Sequence, residues 1–215
     1  MEVKLLTSPA SIKDMENFAA LAALTCHANT DKMSNEEYKP SDTLKNIINA
    51  GHESILEHIN LTFSVKGLSR ACLQELARHR HISLSVESTR HTLRKRLTDK
   101  NTKLSKAIEE MLPIKLKAKD SPFYWHEEFV AWFLRLIKDN PNMTNDELKY
   151  CLPEFWPTNL IITLNIREFR HILKLRTAPA ALREFRELAR AMYWAVPEEF
   201  KYLLKDCVHE EAGHE

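Results

Sequence analysis

The chain has 215 residues, 28% of them charged, and a formal net charge of +1. It is long enough for one domain with a sizeable core and lacks the global basic field of most nucleic-acid binders. Its four cysteines, Cys26, Cys72, Cys151 and Cys207, show no CxxC spacing, which argues against a zinc ribbon or a disulfide framework and suits a reducing cytoplasm. The first residues lack the apolar run of a signal peptide, no stretch approaches the roughly 20 apolar residues of a membrane span, and three glycines (Gly51, Gly67, Gly213) allow neither GxGxxG nor a P-loop. The expectation is a soluble cytoplasmic protein in which side chains and helix ends, not glycine loops, hold any nucleotide.

Val3 to Thr7 is a short apolar run of strand type. Ser8 and Pro9 then open a helix carrying Ile12, Met15, Phe18, Ala19 and Ala22 at helical spacing. After a polar loop, Ser41 is the expected N-cap of a helix ending at Gly51, with Leu44, Ile47 and Ile48 on one face. His58 to Lys66 alternates through Ile59, Leu61, Phe63 and Val65 as a half-buried strand, and Ser69 to His79 returns to helical periodicity. Residues 94 to 120, rich in Lys and Arg, are expected to form a mobile excursion with one short helix. Phe123 to Ile137 reads as an aromatic helix and Thr158 to Leu164 as a strand. A helix is predicted from about Asn165 to Arg176, another after Pro179, and a last one opened by Pro197. Few strands among many helices predict an α+β fold.

Three constellations could carry chemistry. The segment Arg78-His79-Arg80-His81-Ile82-Ser83-Leu84-Ser85-Val86-Glu87-Ser88-Thr89-Arg90 gathers three guanidiniums, two imidazoles and three serines in thirteen residues. Arginine is always charged and grips phosphate bidentately, so the cluster suits a polyanionic ligand better than a core. A continued helix would put Arg70, Gln74 and Arg78 on one face bordered by Glu75, for which the bland reading is a solvated, salt-bridged surface. Ser83, Ser85 and Ser88, if extended, could line one side of a ligand. The second constellation is Gly51-His52-Glu53-Ser54-Ile55-Leu56-Glu57-His58. Its histidines are six residues apart rather than four and so do not share a helix face, and no metal site is expected. Capping roles for His52 and Ser54 compete there with ligand contact. Third, Asn165, Arg167, His171 and Arg176 alternate with Phe169, Ile172 and Leu175, with Glu184 beyond. This second Arg/His set suggests another wall of one anionic pocket.

The spacing RHR-x7-S resembles the signature of the flavin-dependent thymidylate synthases. GHESILEH resembles that family's GHE-[ST]-x-x-EH segment. Val65 to Arg70 followed by Leu73 to Leu76 is similar to its approach to RHR, and Asn165-x-Arg167 with Arg176 to its C-terminal block. These landmarks fall in the family's order over roughly residues 50 to 190. The resemblance implies the family's α+β fold of helices around a small, mostly antiparallel sheet, one domain over residues 1–215, and a homotetramer with active sites shared between subunits. It implies conversion of dUMP to dTMP with FAD, with methylenetetrahydrofolate and NADPH as co-substrates, and with no membrane or nucleic-acid partner.

Carried onto this sequence, the flavin-binding positions are His52, Ser54, Arg78, His79, Arg80, His81, Asn165 and His171. The nucleotide-binding positions are Arg70, Gln74, Glu75, Arg78, Ser85, Ser88, Arg90, Lys149 and Arg176. Arg176 is the implied catalytic residue, and the Asn165–Arg176 wall is expected from a neighbouring subunit. Val86, Ala180, His91 and Lys149 depart from common family residues, the last a point charge where arginine is usual. Ser88 has no evident activating base and reads as a ligand rather than a nucleophile. Two other classes remain readable at this level. One is a nucleic-acid module using RHRH and His91 to Arg96, against which near-neutral charge weighs. The other is a helical assembly protein whose arginines pair between subunits.

Overall fold

Ser8 sits in extended conformation and its hydroxyl accepts the Ser11 amide. That starts helix α1 (Pro9–Thr25) where the Ser-Pro pair predicts it, after strand β1 (Glu2–Leu5). The structure is a computed structural model, and it describes residues 1–98 and 125–210. The face α1 buries keeps Ile12 and Ala19 of the predicted set but not Phe18. Ile12, Glu16, Ala19, Ala20, Ala23 and Leu24 are inside, while Phe18 is 63% exposed. Glu16 is tolerated inside because Tyr202 Oη and Lys13 Nζ both donate to its carboxylate.

Helix α2 (Pro40–Asn49) begins one residue before the expected cap. Pro40 occupies its first turn, and Ser41 lies inside the helix. Its end follows the sequence closely: Gly51 adopts φ +72°, donating to Ile48 O at 3.0 Å while His52 N donates to Ile47 O at 3.0 Å. The left-handed glycine closes the helix, and the two bonds satisfy otherwise orphaned carbonyls. A 3₁₀ turn (Glu53–His58) then leads into strand β2 (Asn60–Ser69), in which Leu61, Phe63 and Val65 point inward.

Helix α3 (Arg70–Leu76) is followed by strand β3 (Ile82–Val86), and helix α4 (Thr89–Thr98) runs into the stretch expected to be an excursion with one short helix. The rest of that expectation, residues 99–120, lies outside the described residues. Helix α5 (Trp125–Asp139), helix α6 (Asn145–Lys149), strand β4 (Pro157–Asn165), helix α7 (Ile166–Arg176) and helix α8 (Arg183–Ala195) complete the α-helices and strands among the described residues. The last predicted helix is instead two 3₁₀ turns, Glu198–Leu203 and Lys205–Cys207.

The strands pair in the order β1-β2-β4-β3. β2 and β4 run antiparallel, with Ile166 N on Ile59 O at 2.8 Å, the Thr62 and Thr163 hydroxyls 2.9 Å apart, and Gly67 N on Asn159 Oδ1 at 3.1 Å. The fold is α+β. No helix among the described residues is long and apolar enough to cross a membrane.

The chain divides into two compact units, each with its own core. One comprises Met1–Glu2, Val65–Gln74 and Ser85–Leu160 and packs Leu93, Phe133, Leu148 and Trp156, with the Phe129 ring stacked 5.5 Å from Phe133. The other comprises Val3–Ser64, Glu75–Leu84 and Ile161–Glu215. Its interior includes Phe63 edge-on to Phe169 at 5.6 Å, with Ile172, Leu173, Phe185 and Leu188 fully buried.

In that second unit α7 carries a buried cation, Arg170, whose side chain is 2% exposed. Its guanidinium takes Asp206 bidentately at 2.6 Å on each arm, Leu203 O at 2.7 Å and Glu53 at 3.1 Å. Burial works against the Asp206 carboxylate, but the Arg170 hydrogen bonds and charge outweigh it and hold Asp206 below the usual range. Burial also pushes the neighbouring Cys207 thiol up to about 11, so it stays protonated. Asp206→Asn should lower stability by about 2 kcal/mol, as expected for a hydrogen bond to a charged group. In a chain of this length that is a fall of roughly 5 °C in Tm. An unchanged melting temperature would show that the pair contributes nothing net.

Candidate active site

The tripeptide Arg78-His79-Arg80 follows one residue after α3 ends at Leu76, and the helix end decides how it is displayed. His79 N donates to Leu76 O at 3.0 Å and its ring turns inward, 6% exposed, while Arg78 and Arg80 remain exposed on either side. The predicted continuous face of Arg70, Gln74 and Arg78 therefore does not form, because no helix links Gln74 to Arg78.

Against His79 stands α7. Asn165 is its N-cap, with Oδ1 accepting the Glu168 amide at 2.8 Å. About three turns on, at the other end of the helix, is Arg176. Glu168 Oε1 lies 2.9 Å from His79 Nδ1, and Arg176 Nε donates to His79 Nε2 at 3.0 Å. Since an arginine only donates, Nε2 must offer its lone pair, and the proton of the neutral ring sits on Nδ1, pointing at Glu168. Arg176 Nη1 continues the chain to Glu75 Oε2 at 3.1 Å, and Glu75 also faces Arg78 at 3.8 Å. The Arg176 guanidinium rests 4.7 Å from the Phe185 ring centre, and Phe185 and His171 each pack edge-on to His79.

Burial holds the His79 imidazole below its ordinary value, aided by the nearby Arg176 and His171 and opposed by Glu168. His79, Glu168 and His171 bring potential ligand atoms within 4.8 Å of one another. Both nitrogens of His79 are already engaged, one by a guanidinium, so this group fits an internal hydrogen-bonded chain rather than a cation.

A cavity of about 630 Å³ opens over this chain, lined by Arg78 to His81, Glu168, His171 and Arg176, with Leu175, Ala180 and Ala181 as its apolar part. A second of about 480 Å³ shares His81, Glu168 and His171 and adds Glu53, Glu57, Asn165 and Arg167. Arg167 is ion-paired with Glu57 at 2.5 Å there. The Asn165–Arg176 wall thus meets the RHR segment within a single chain, contrary to the expectation that it arrives from a neighbouring subunit. The reason is the packing of α7 in the same unit as residues 75–84.

The other predicted positions are more scattered. His52 follows the glycine closing α2, Ser54 lies in the 3₁₀ turn, and both are exposed. Arg70, Gln74, Ser85, Ser88, Arg90 and Lys149 belong to the other unit. There Gln74 donates to Glu154 at 3.3 Å, Arg90 pairs with Asp146 at 2.6 Å, and Lys149 is exposed at the end of α6. Ser85 is on β3, but Ser88 lies beyond the strand, where its carbonyl accepts the His91 and Thr92 amides at 3.1 Å. The three serines therefore do not share one strand face.

Sequence reasoning missed Glu168 and Phe185. Asn165-x-x-Glu168 has the spacing of a capping box, which would have assigned the glutamate to its own helix end; here Oε1 reaches His79 instead. No local signal marks Phe185 as the platform under Arg176.

What fold and site define is an α+β protein with a cavity bordered by arginines and histidines, over a buried histidine and a tethered arginine. The comparisons narrow this. The model of the thymidylate synthase complementing protein family matches residues 6–200. The chain is 37% identical over 171 residues to the flavin-dependent thymidylate synthase of Campylobacter jejuni strain RM1221, covering 74% of this chain and 76% of the relative. With the flavin-dependent thymidylate synthase of Helicobacter pylori strain J99 it shares 35% over 204 residues, or 89% of this chain and 94% of the relative. A crystal structure of Helicobacter pylori thymidylate synthase X with FAD and dUMP superposes with a TM-score of 0.78 at 32% identity, covering 98% of this chain and all of that one. The chain belongs to the flavin-dependent thymidylate synthase family.

The neutral His79 makes stability depend on pH. Below about 6.5 the unfolded chain takes up a proton that the folded imidazole resists, so stability falls as pH drops from there through the lowered folded value. Melting temperatures measured between about pH 7 and 5 should fall less steeply in His79→Gln than in the parent. Parallel slopes would show that His79 is not the group responsible.

Proposed function

We propose that this FAD-dependent thymidylate synthase reductively methylates dUMP to dTMP, with methylenetetrahydrofolate as carbon donor and NADPH as reductant. It would work as a cytoplasmic homotetramer with active sites shared between subunits, each chain contributing one catalytic domain over residues 1–215. The single observation that supports this most directly is the placement of Arg176. It lines the cavity, is tethered to His79 and Glu75, and has an Nη2 that makes no protein hydrogen bond among the described residues.

The residues present fit FAD and a nucleotide. A cavity of about 630 Å³ lies within the ~300–1,000 Å³ range of small-molecule sites. Arg78, Arg80, His81 and His171 border it with donors suited to pyrophosphate, where Arg matches phosphate geometry bidentately. Asn165, already spending its Oδ1 on the helix cap, lines the adjoining cavity. His52 and Ser54 complete the proposed flavin set. His79 belongs to it as an orienting group, since its ring nitrogens are both engaged internally. When bound, FAD supplies the hydride that completes the methyl group.

For the nucleotide, Arg176 would place a fixed positive charge against the uracil carbonyls. It would stabilise negative charge as C5 loses its proton and gains the one-carbon unit, without a covalent enzyme nucleophile. Glu75 would hold Arg176 and Arg78 in register for base and phosphate. Arg70, Gln74, Ser85, Ser88, Arg90 and Lys149 join the nucleotide set on the family's pattern alone.

The test is tritium release from [5-³H]dUMP with and without FAD, NADPH and methylenetetrahydrofolate. Arg176→Ala should retain FAD, judged by its absorbance, and lose activity by about 10²-fold or more, the scale for removing a preorganised charge-stabilising donor. Full activity in that variant would refute the role of Arg176.

A further inference from the structure

Glu168 is a carboxylate that the proposed function does not use. It is 7% exposed, three residues into α7, beside a cavity meant for anions. A buried negative charge there opposes ligand binding and costs desolvation, so its retention calls for a specific gain. The geometry supplies one. An imidazole in a neutral environment can carry its proton on either nitrogen, and the hydrogen bond made by one nitrogen decides the state of the other. Glu168, accepting at 2.9 Å, fixes the proton of His79 on Nδ1, which leaves Nε2 as the acceptor that Arg176 Nε reaches at 3.0 Å. In the opposite tautomer two N–H groups would meet at that distance. Arg176 would lose an anchor and keep only Glu75 and the Phe185 face.

We propose that Glu168 is a positioning residue for the reaction: it sets the tautomer of His79 and through it the place of the Arg176 guanidinium in the cavity. This rests on the reading of Arg176 as the group that activates the pyrimidine. The low proton affinity of buried His79 agrees with the same arrangement, because a protonated ring would turn a donor and a like charge toward Arg176.

The experiment has one arm without turnover and one with it. Ring ¹⁵N spectra of histidine-labelled protein free of FAD, with the His79 signals assigned by their loss in His79→Gln, should show the Nδ1–H tautomer in the parent. In Glu168→Gln they should show a mixture or the Nε2–H form, since an amide can donate as well as accept. In holoenzyme, Glu168→Gln should lower kcat by about tenfold to a hundredfold, the scale for losing an orienting partner, with KM for dUMP and FAD content near the parent values.

Glu168→Asp, which keeps the carboxylate, should retain more activity than Glu168→Gln and keep the Nδ1–H form. If the Gln variant does not fold, the Asp variant serves alone and should still show that form. Glu168→Gln combined with Arg176→Ala should be no worse than Arg176→Ala alone, because the glutamate acts through the arginine. An Nε2–H ring in the parent, parental kcat in Glu168→Gln, loss of the Nδ1–H form in Glu168→Asp, or additive losses in the double variant would each overturn the proposal. A fully active Arg176→Ala would instead overturn the role of Arg176, leaving the tautomer spectra to decide what Glu168 does to His79.

Discussion

A neutral imidazole, buried and engaged at both nitrogens, is the constraint around which this site is organised. His79 has a carboxylate on one side and a guanidinium on the other, and only one tautomer satisfies both. Hydrogen bonds of this kind are worth most where water is excluded, and an unmatched partner is then correspondingly costly. The tripeptide thereby acquires two functions at once. Its middle residue anchors the segment inward, and its flanking arginines are left exposed over the cavity. Charge can be displayed there because an uncharged side chain holds the backbone down.

Helix α7 supplies the other half. Its apolar positions Ile166, Phe169, Ile172 and Leu173 bury it, and each remaining direction carries a different polar task. Glu168 and Arg176, just over two turns apart, both reach His79. Arg170 enters the interior and binds the C-terminal turns through Asp206 and the Leu203 carbonyl. Arg167 and His171 stay exposed beside the adjoining cavity. A tightly packed helix of this kind can hold a guanidinium in one place, which matters because charge stabilisation depends on groups being fixed before the reaction. Thr177, fully buried just past the helix end, adds to this. Its hydroxyl donates to Leu173 O and accepts the His209 amide, so the residue next to Arg176 is tied down as well.

Much of this was legible locally. The Ser8-Pro9 start, the Gly51 stop, the alternation of β2 and the helix opening at about Asn165 all follow from nearest-neighbour chemistry, and all appear close to where the sequence places them. The ordered motifs also suffice to recognise the family. Misreadings occur where a tertiary partner overrides local periodicity. Phe18 looks like a core residue until Glu16, satisfied by Tyr202 from the far end of the chain, takes the inward face of α1. Arg70, Gln74 and Arg78 look coaxial until α3 stops at Leu76. Glu168 draws no notice in the sequence, because its partner His79 lies 89 residues away.

The sequence by itself determined the kinds of group available: arginines and imidazoles in a fixed order, few glycines, and helix starts and stops that fix where each can be presented. Those are consequences of side-chain chemistry and short-range backbone geometry, which act over a few residues. Only the tertiary structure decided which groups meet. His79 and Arg176 are 97 residues apart in sequence, and His79 and Glu168 are 89 apart. No local rule relates them. Their pairing depends on packing α7 against the segment after α3, and that packing sets the tautomer of one histidine and the position of one arginine.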